Sequence, residues 1–113
     1  MTRFISYCRV STEKQGLGLE AQSTIIANWI AANGGEIIAA YEEKESGKTT
    51  NRPALQDAIK QCKQTGAKLI VAKLDRLSRD ISDVFSIRKK IDFAVCDMDA
   101  TDTLTLGIFA TLA

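Results

Sequence analysis

The chain has 113 residues, a net charge of +1 at pH 7 and no histidine. This length allows one domain at most, and the lack of an imidazole excludes mechanisms that need one as a base or metal ligand. The three cysteines are odd in number and widely spaced, so they fit neither a disulfide framework nor a zinc site. We interpret them as reduced, small hydrophobic residues and expect a cytoplasmic location. No apolar stretch approaches the roughly 20 residues of a membrane-spanning helix, so we expect no membrane partner.

Apolar, β-rich runs alternate with runs of helical periodicity along the chain. In chain order, the pattern predicts a strand at 4–10, a helix at 20–33, a strand at 36–41, a helix from Pro53 to Gly66, a strand at 69–74, a helix at 81–88, a strand at 93–96 and a helix at 103–113. Strands joined by helices predict right-handed crossovers and a parallel sheet covered on both faces. We therefore expect an α/β fold with three αβα layers and a mainly parallel sheet of four to five strands.

Three polar segments, 11–18, 43–52 and 75–79, each follow a predicted strand. The carboxyl ends of parallel strands meet at one edge of a sheet, where such folds bind ligands. Residues 43–52 are expected to be a loop without regular structure. The sequence therefore predicts that these segments converge into one site.

Four of the six arginines belong to this edge: Arg9, Arg52, Arg76 and Arg79. A guanidinium presents a rigid fork of donors to phosphate oxygens and stays charged at any working pH. The near-zero net charge gives no general sign of a nucleic-acid binder. A local cluster of arginines nevertheless favours a phosphate site.

Ser11 is the candidate nucleophile, two residues after Arg9. Without histidine, guanidinium groups could activate it by stabilising the charge that develops on the phosphate oxygens. Asp75 could accept a hydrogen bond from Ser11 or hold Arg9 in place. Taken singly, Ser11 is also typical of a turn, and Asp75 with its neighbouring arginines is typical of a surface ion pair. Their convergence at one edge favours the functional interpretation.

At these residues the sequence resembles the serine recombinase family of resolvases and invertases. The first motif is the stretch from Tyr7 to Thr12 with Gln15, followed by Leu19-Glu20-Ala21-Gln22. Glu45-Ser46-Gly47 leading to Asn51-Arg52-Pro53 resembles the second motif, and Leu74 to Asp80 resembles the third, which is the most diagnostic. The motifs occur in family order and cover most of the chain.

The resemblance implies a resolvase-like catalytic domain and a chemical mechanism. Ser11 would attack the scissile phosphate, form a 5′-phosphoserine link and release a 3′-hydroxyl. Arg9, Arg76 and Arg79 would bind and activate the phosphate, with Gln15 and Arg52 in support. Asp75 would orient the site or take part in leaving-group protonation. The resemblance implies no cofactor and no metal.

The resemblance also implies partners and an organisation of domains. Residues 1–102 would be the catalytic domain, and 103–113 would begin a truncated oligomerisation helix, with the DNA-binding domain absent from this chain. The partners would be double-stranded DNA and further copies of the protein, as a homodimer and a synaptic homotetramer. We expect the fragment to be inactive by itself. The resemblance does not distinguish a resolvase from an invertase or an integrase.

Two alternatives belong to other functional classes. The first is a non-catalytic dimerisation or regulatory module of the same fold, which would have no need for Ser11 together with four arginines. The second is a small phosphatase or nucleotide-binding protein of flavodoxin-like type. That class would use a glycine-rich phosphate loop or a cysteine nucleophile in a loop, and the segment from Gly16 to Gly18 is a weak match.

Overall fold

The structure, a computed structural model, describes residues 1–11, 17–45, 51–78 and 80–97. Its elements in chain order are β1 (Arg3–Ser11), α1 (Leu19–Asn33), β2 (Glu36–Glu45), α2 (Pro53–Thr65), β3 (Lys68–Val71), α3 (Leu74–Leu77), α4 (Ile81–Lys90) and β4 (Phe93–Val95). The helix predicted at 103–113 lies outside the described residues.

The four described strands form one parallel sheet in the order β2-β1-β3-β4. Helix α1 connects β1 to β2, α2 connects β2 to β3, and α3 with α4 connects β3 to β4. Every connection between consecutive strands of this sheet therefore contains a helix, as is usual for parallel pairing. The predicted α/β class and parallel sheet are confirmed.

Two apolar cores lie on opposite faces of the sheet. Ile5 and Tyr7 of β1 pack with Leu55 and other residues of α2 and with Ile87 of α4. The alternate β1 residues, including Phe4, pack on the other side with α1. The period of two along a strand thus separates the layers, and the predicted three-layer arrangement is confirmed.

Glycines end the first two helices, as the sequence predicts. The N–H of Gly34 donates to the carbonyl of Ile30 over 2.7 Å, and that of Gly66 donates to Cys62 over 2.8 Å. Gly66 adopts a left-handed φ of 77°, which glycine reaches without a Cβ penalty. Pro53 begins α2 in its first turn, where a missing N–H has no intrahelical partner to lose.

Three predicted boundaries were wrong at the edge where the site was expected, and the first is the end of β1, which includes Ser11. Strand β2 continues to Glu45, because its last residues pair in parallel register with β1 as far as Ser11. The expected loop from residue 43 is therefore partly strand. Strand β3 ends at Val71, and Leu74 begins the short helix α3 instead of ending the strand. A short apolar run does not by itself distinguish a strand from a buried helical turn.

The three cysteines are free thiols, with Cys8 and Cys62 buried and Cys96 partly buried. Burial raises the pKa of the Cys62 and Cys96 thiols to about 11, which keeps both protonated at neutral pH. This agrees with their interpretation as small hydrophobic residues. Within the described ranges, no helix is long and apolar enough to cross a membrane.

Candidate active site

The carboxyl end of β1 carries Arg9 and Ser11, with Ser11 as the last residue of the strand. Alternation along the strand places both on the same face as Ile5 and Tyr7, the face covered by α2 and α4. The sequence had placed Ser11 just beyond the strand. Its Cα pairs in register with that of Glu45 at the end of β2.

The buried Arg9 side chain joins β1 to the short helix α3. Its Nε donates to the carbonyl oxygen of Arg76 over 3.1 Å, and its Nη2 donates to the carbonyl of Asp75 over 2.6 Å. Its Nη1 donates to Oε1 of Glu45 over 3.2 Å, in a partly buried ion pair. All three nitrogens of the guanidinium are thus bound to protein acceptors, which offsets the cost of burying the charge.

Gln22 of α1 holds the backbone of Arg9 from the other side of the sheet. The Arg9 N–H donates to Oε1 of Gln22 over 3.0 Å. The side-chain amide of Gln22 donates to the carbonyls of Arg9 and Leu17, both over 2.9 Å. Gln22 is completely buried, so its amide replaces water at the end of the strand. From the sequence, Gln22 was expected to have no role beyond membership of a motif.

Arg76 of α3 is also buried, and its Nε finds no hydrogen-bond partner among the described residues. The nearest carboxylate oxygen, Oδ1 of Asp75, is 4.0 Å away, too far for a hydrogen bond. A buried donor without an acceptor costs about 1–3 kcal/mol. An acceptor from outside the chain would remove that cost.

Asp75 contacts Arg9 through its backbone and not through its carboxylate. The carbonyl oxygen of Asp75 accepts from Arg9, whereas its side chain is half exposed. Asp75 thus holds Arg9 through its backbone carbonyl and not through the carboxylate that the sequence suggested. One turn of helix presents two consecutive carbonyls to the guanidinium, and this leaves the carboxylate at the surface.

Arg52 ties the end of α3 to the start of α4. Its Nη1 donates to the carbonyl of Leu77, and its Nη2 forms a hydrogen-bonded ion pair with Asp83. The backbone of Arg52 has a left-handed φ of 44°, which a residue other than glycine rarely adopts. The side-chain contacts offset this conformational cost at the residue that precedes α2.

Glu43 is a buried carboxylate that the sequence had placed in a loop. It accepts a hydrogen bond from the Tyr7 hydroxyl over 3.0 Å. The backbone N–H groups of Ala54 and Leu55, in the first turn of α2, donate to it over 3.2 and 3.1 Å. Burial raises the pKa of the Tyr7 hydroxyl above its ordinary value, and the Glu43 charge adds to this effect. Glu43 thus links β1 to the start of α2.

The structure brings four of the predicted site residues to one place: Arg9, Arg52, Asp75 and Arg76 all contact α3 or belong to it. Ser11 lies at the end of the same strand as Arg9. Gln15 and Arg79 lie outside the described residues. Within the parts of the chain that the structure describes, no cluster of cysteine and carboxylate side chains could hold a metal ion.

The sequence is similar to those of known resolvases and serine recombinases. A family model described as the N-terminal domain of resolvases matches residues 4–113. The Tn3 transposon resolvase of Escherichia coli is 33% identical over 90 residues, which cover 80% of this chain and 45% of the relative. The serine recombinase gin of Escherichia phage Mu is 40% identical over 83 residues, covering 74% of this chain and 38% of the relative. The chain thus spans less than half the length of these relatives.

The structure is also similar to solved structures of an integrase domain and of a site-specific recombinase. The N-terminal catalytic domain of TP901-1 integrase superposes with a TM-score of 0.80 and 26% identity, covering 98% of this chain and 93% of that structure. A resolvase family site-specific recombinase from Streptococcus pneumoniae gives a TM-score of 0.71 and 25% identity, with 99% and 85% covered.

The buried Glu43 network generates a prediction about stability. Glu43→Ala leaves the Tyr7 hydroxyl and two backbone N–H groups without their acceptor, so we expect a loss of about 3 kcal/mol in the free energy of unfolding. Tyr7→Phe removes only one donor to Glu43 and should cost about 1 kcal/mol. Urea denaturation measures both.

The matched control is Glu42→Ala, which removes an exposed carboxylate from the adjacent position of the same strand. It should change the free energy of unfolding by less than about 0.5 kcal/mol. Equal losses for Glu42→Ala and Glu43→Ala would contradict the structural role of the buried carboxylate.

Proposed function

This chain belongs to the resolvase family of serine recombinases, and we propose that it is the catalytic domain of a site-specific recombinase that cleaves and rejoins DNA through Ser11. The observation that supports this proposal most is the cluster at the carboxyl edge of the sheet. Two buried arginines, Arg9 and Arg76, meet there beside the strand end that carries Ser11. Relatives of this chain are named as a resolvase and a serine recombinase, and these names support DNA recombination as the chemistry of the cluster.

The arginines supply what a phosphodiester requires. A phosphate oxygen accepts strong, charge-assisted hydrogen bonds from guanidinium groups, and preorganised donors stabilise the additional charge of a pentacoordinate transition state. Arg76 is preorganised by burial and has an Nε without an acceptor among the described residues. We assign that donor to a non-bridging oxygen of the scissile phosphate. Arg9 and Arg79 complete the set, Arg79 on the basis of its motif.

In the proposed reaction, Ser11 Oγ attacks phosphorus and the bond from phosphorus to the 3′-oxygen breaks. The serine hydroxyl loses its proton, and the 3′-oxygen gains one as it leaves. The products are a 5′-phosphoserine and a free 3′-hydroxyl, so the ester retains the energy of the broken bond. Attack by a 3′-hydroxyl on the phosphoserine reverses the step and rejoins the strand without ATP. No metal or cofactor takes part in this proposal.

The other site residues would hold or orient the groups that take part in this reaction. Arg52 binds the carbonyl at the end of α3 and the carboxylate of Asp83, which supports a role in holding the turn that carries Arg76. Asp75, half exposed beside Arg76, would orient that guanidinium or assist protonation of the leaving group. Gln15 is assigned a supporting role from the first motif.

The proposed partners are double-stranded DNA and further copies of the same protein. A homodimer would bind each crossover site, and a homotetramer would form during strand exchange. Residues 1–102 would be the catalytic domain and 103–113 the start of an oligomerisation helix. Most of the DNA-binding surface would lie outside this domain, which is consistent with a net charge of only +1.

The nucleophile is tested by Ser11→Ala in the full-length protein, on DNA that carries its crossover site. The substitution removes the attacking oxygen and leaves the arginines in place. We expect cleavage to be abolished while DNA affinity changes less than about twofold, because phosphate contacts supply most of that affinity.

The matched control is Ser86→Ala, at an exposed position of α4, which should cleave at the wild-type rate. Strand cleavage by the Ser11→Ala protein would contradict the mechanism. Cleavage would also be lost if the catalytic domain misfolded, so thermal unfolding of the variant is the necessary second measurement.

The role of the α3 arginine is tested by Arg76→Lys, which keeps the charge and removes the planar fork of donors. We expect the cleavage rate to fall by about 10²-fold, as for the loss of a donor that stabilises developing charge. Single-turnover cleavage measures this effect. Arg88→Lys, in an exposed ion pair with Asp92, is the control and should leave the rate unchanged. A loss of only two- or threefold in the Arg76 variant would mean that its fork does not act on the phosphate.

A further inference from the structure

The proposed phosphate ligand Arg9 is already bound to a carboxylate in this structure. Two corners of its guanidinium, Nε and Nη2, donate to main-chain carbonyls of α3 and so hold the fold together. The third corner, Nη1, donates to Oε1 of Glu45 at 3.2 Å. Among the described residues, Glu45 is the one anion that contacts this guanidinium, and a phosphate oxygen would use the same kind of charge-assisted hydrogen bond.

The position of Glu45 makes it a competitor for the same place as the phosphate. Its Cα pairs in register with that of Ser11, and it extends from the end of β2 to the guanidinium of Arg9. A phosphate within reach of both Ser11 Oγ and Arg9 would therefore approach the Glu45 carboxylate closely. Two anions at one guanidinium corner repel each other, and partial burial weakens the screening of that repulsion by water.

The charges around α3 give the same result. Four carboxylates, of Glu43, Glu45, Asp75 and Asp83, accompany the guanidiniums of Arg9, Arg52 and Arg76 at this edge. They offset part of the positive charge that a phosphodiester would meet there in the proposed function. A carboxylate that releases its arginine leaves that guanidinium available to the phosphate.

Among the four carboxylates, Glu45 is the one whose release frees a proposed phosphate ligand. Glu43 accepts three hydrogen bonds that link β1 to α2, so its displacement would disrupt the fold. Asp83 binds Arg52, whose other donor holds the end of α3. Asp75 is half exposed and too far from Arg76 Nε for a hydrogen bond. Glu45 lies at a strand end with a partly exposed side chain and can move without loss of a core contact.

We propose that Glu45 is the counter-ion of Arg9 in the DNA-free protein and that it sets the phosphate affinity of the site. The carboxylate holds Nη1 until a phosphate takes its place, and the two carbonyl contacts to α3 persist throughout. Glu45 therefore acts through Arg9 as a positioning residue and does not take part in bond breaking. This inference rests on the proposed function, because it requires Arg9 to bind phosphate.

The test measures phosphate binding at Arg9 directly, with inorganic phosphate as the probe and the full-length protein. The Nε–Hε signal of Arg9 in a ¹⁵N-correlated NMR spectrum, assigned through its loss in Arg9→Lys, reports the titration. We compare wild type, Glu45→Gln and Glu45→Ala. The first variant keeps an oxygen acceptor and removes the charge, and the second removes both.

The control is Glu42→Gln, which makes the same change of charge on the same strand. Glu42 is exposed and pairs in register with Cys8, whose side chain belongs to the opposite face of the sheet. Thermal unfolding of each variant verifies that the fold is retained. Glu45→Gln could retain a neutral hydrogen bond to Arg9, so the phosphate affinity of Glu45→Ala provides a second measurement.

We expect both Glu45 variants to bind inorganic phosphate about fivefold more tightly than wild type, from the loss of an ion pair worth about 1 kcal/mol. Glu42→Gln should match wild type. Unchanged or weaker binding in both Glu45 variants would overturn the proposal, and so would an equal gain in Glu42→Gln, which would indicate a general charge effect. If phosphate shifts the Arg9 Nε–Hε signal in none of the proteins, including wild type and Glu42→Gln, the phosphate site of the proposed function is wrong as well. The two failures are thus distinguishable.

Discussion

A guanidinium buried at the end of a strand must find acceptors for its N–H groups, and Arg9 finds two of them in consecutive carbonyls of α3. Hydrogen bonds to a charged donor contribute about 1.5–3 kcal/mol each, so this contact determines where the short helix lies against β1. Helix α3 has only four residues and could not persist by itself. The position of Arg76, and with it the shape of the site, therefore depends on Arg9.

The remaining polar contacts at this edge support the same arrangement from three directions. Gln22 holds the backbone of Arg9 from the α1 side, and Arg52 holds the far end of α3. Glu43 links Tyr7 to the first turn of α2. Each of these buried groups would be costly without its partners, so the network forms as a unit. A preorganised edge of this kind suits chemistry that depends on placing positive charge around a phosphate.

Much of this edge could be predicted from the sequence, for reasons that particular residues make clear. An arginine that interrupts an apolar strand must be paired or bind a ligand, and the parallel topology brings the segments after β1 and β3 together. The acidic and amide partners could not be predicted in the same way. The sequence predicted that Glu43 and Glu45 lie in a loop. The register of β2 with β1, which makes both of them strand residues, is a long-range property that no local pattern reveals. The contact between the Asp75 carbonyl and Arg9 could not be predicted either, because the placement of α3 against β1 is also a long-range property.

Activation of Ser11 by this cluster for attack on phosphorus is tested best by identifying the covalent intermediate. Full-length protein is incubated with a crossover-site duplex nicked so that the cleaved strand diffuses away and cannot be rejoined. The trapped complex is digested with protease and nuclease and analysed by mass spectrometry. We expect a nucleotide 5′-phosphate attached to Ser11. Attachment to any other residue, or strand cleavage without a covalent adduct, would contradict this mechanism.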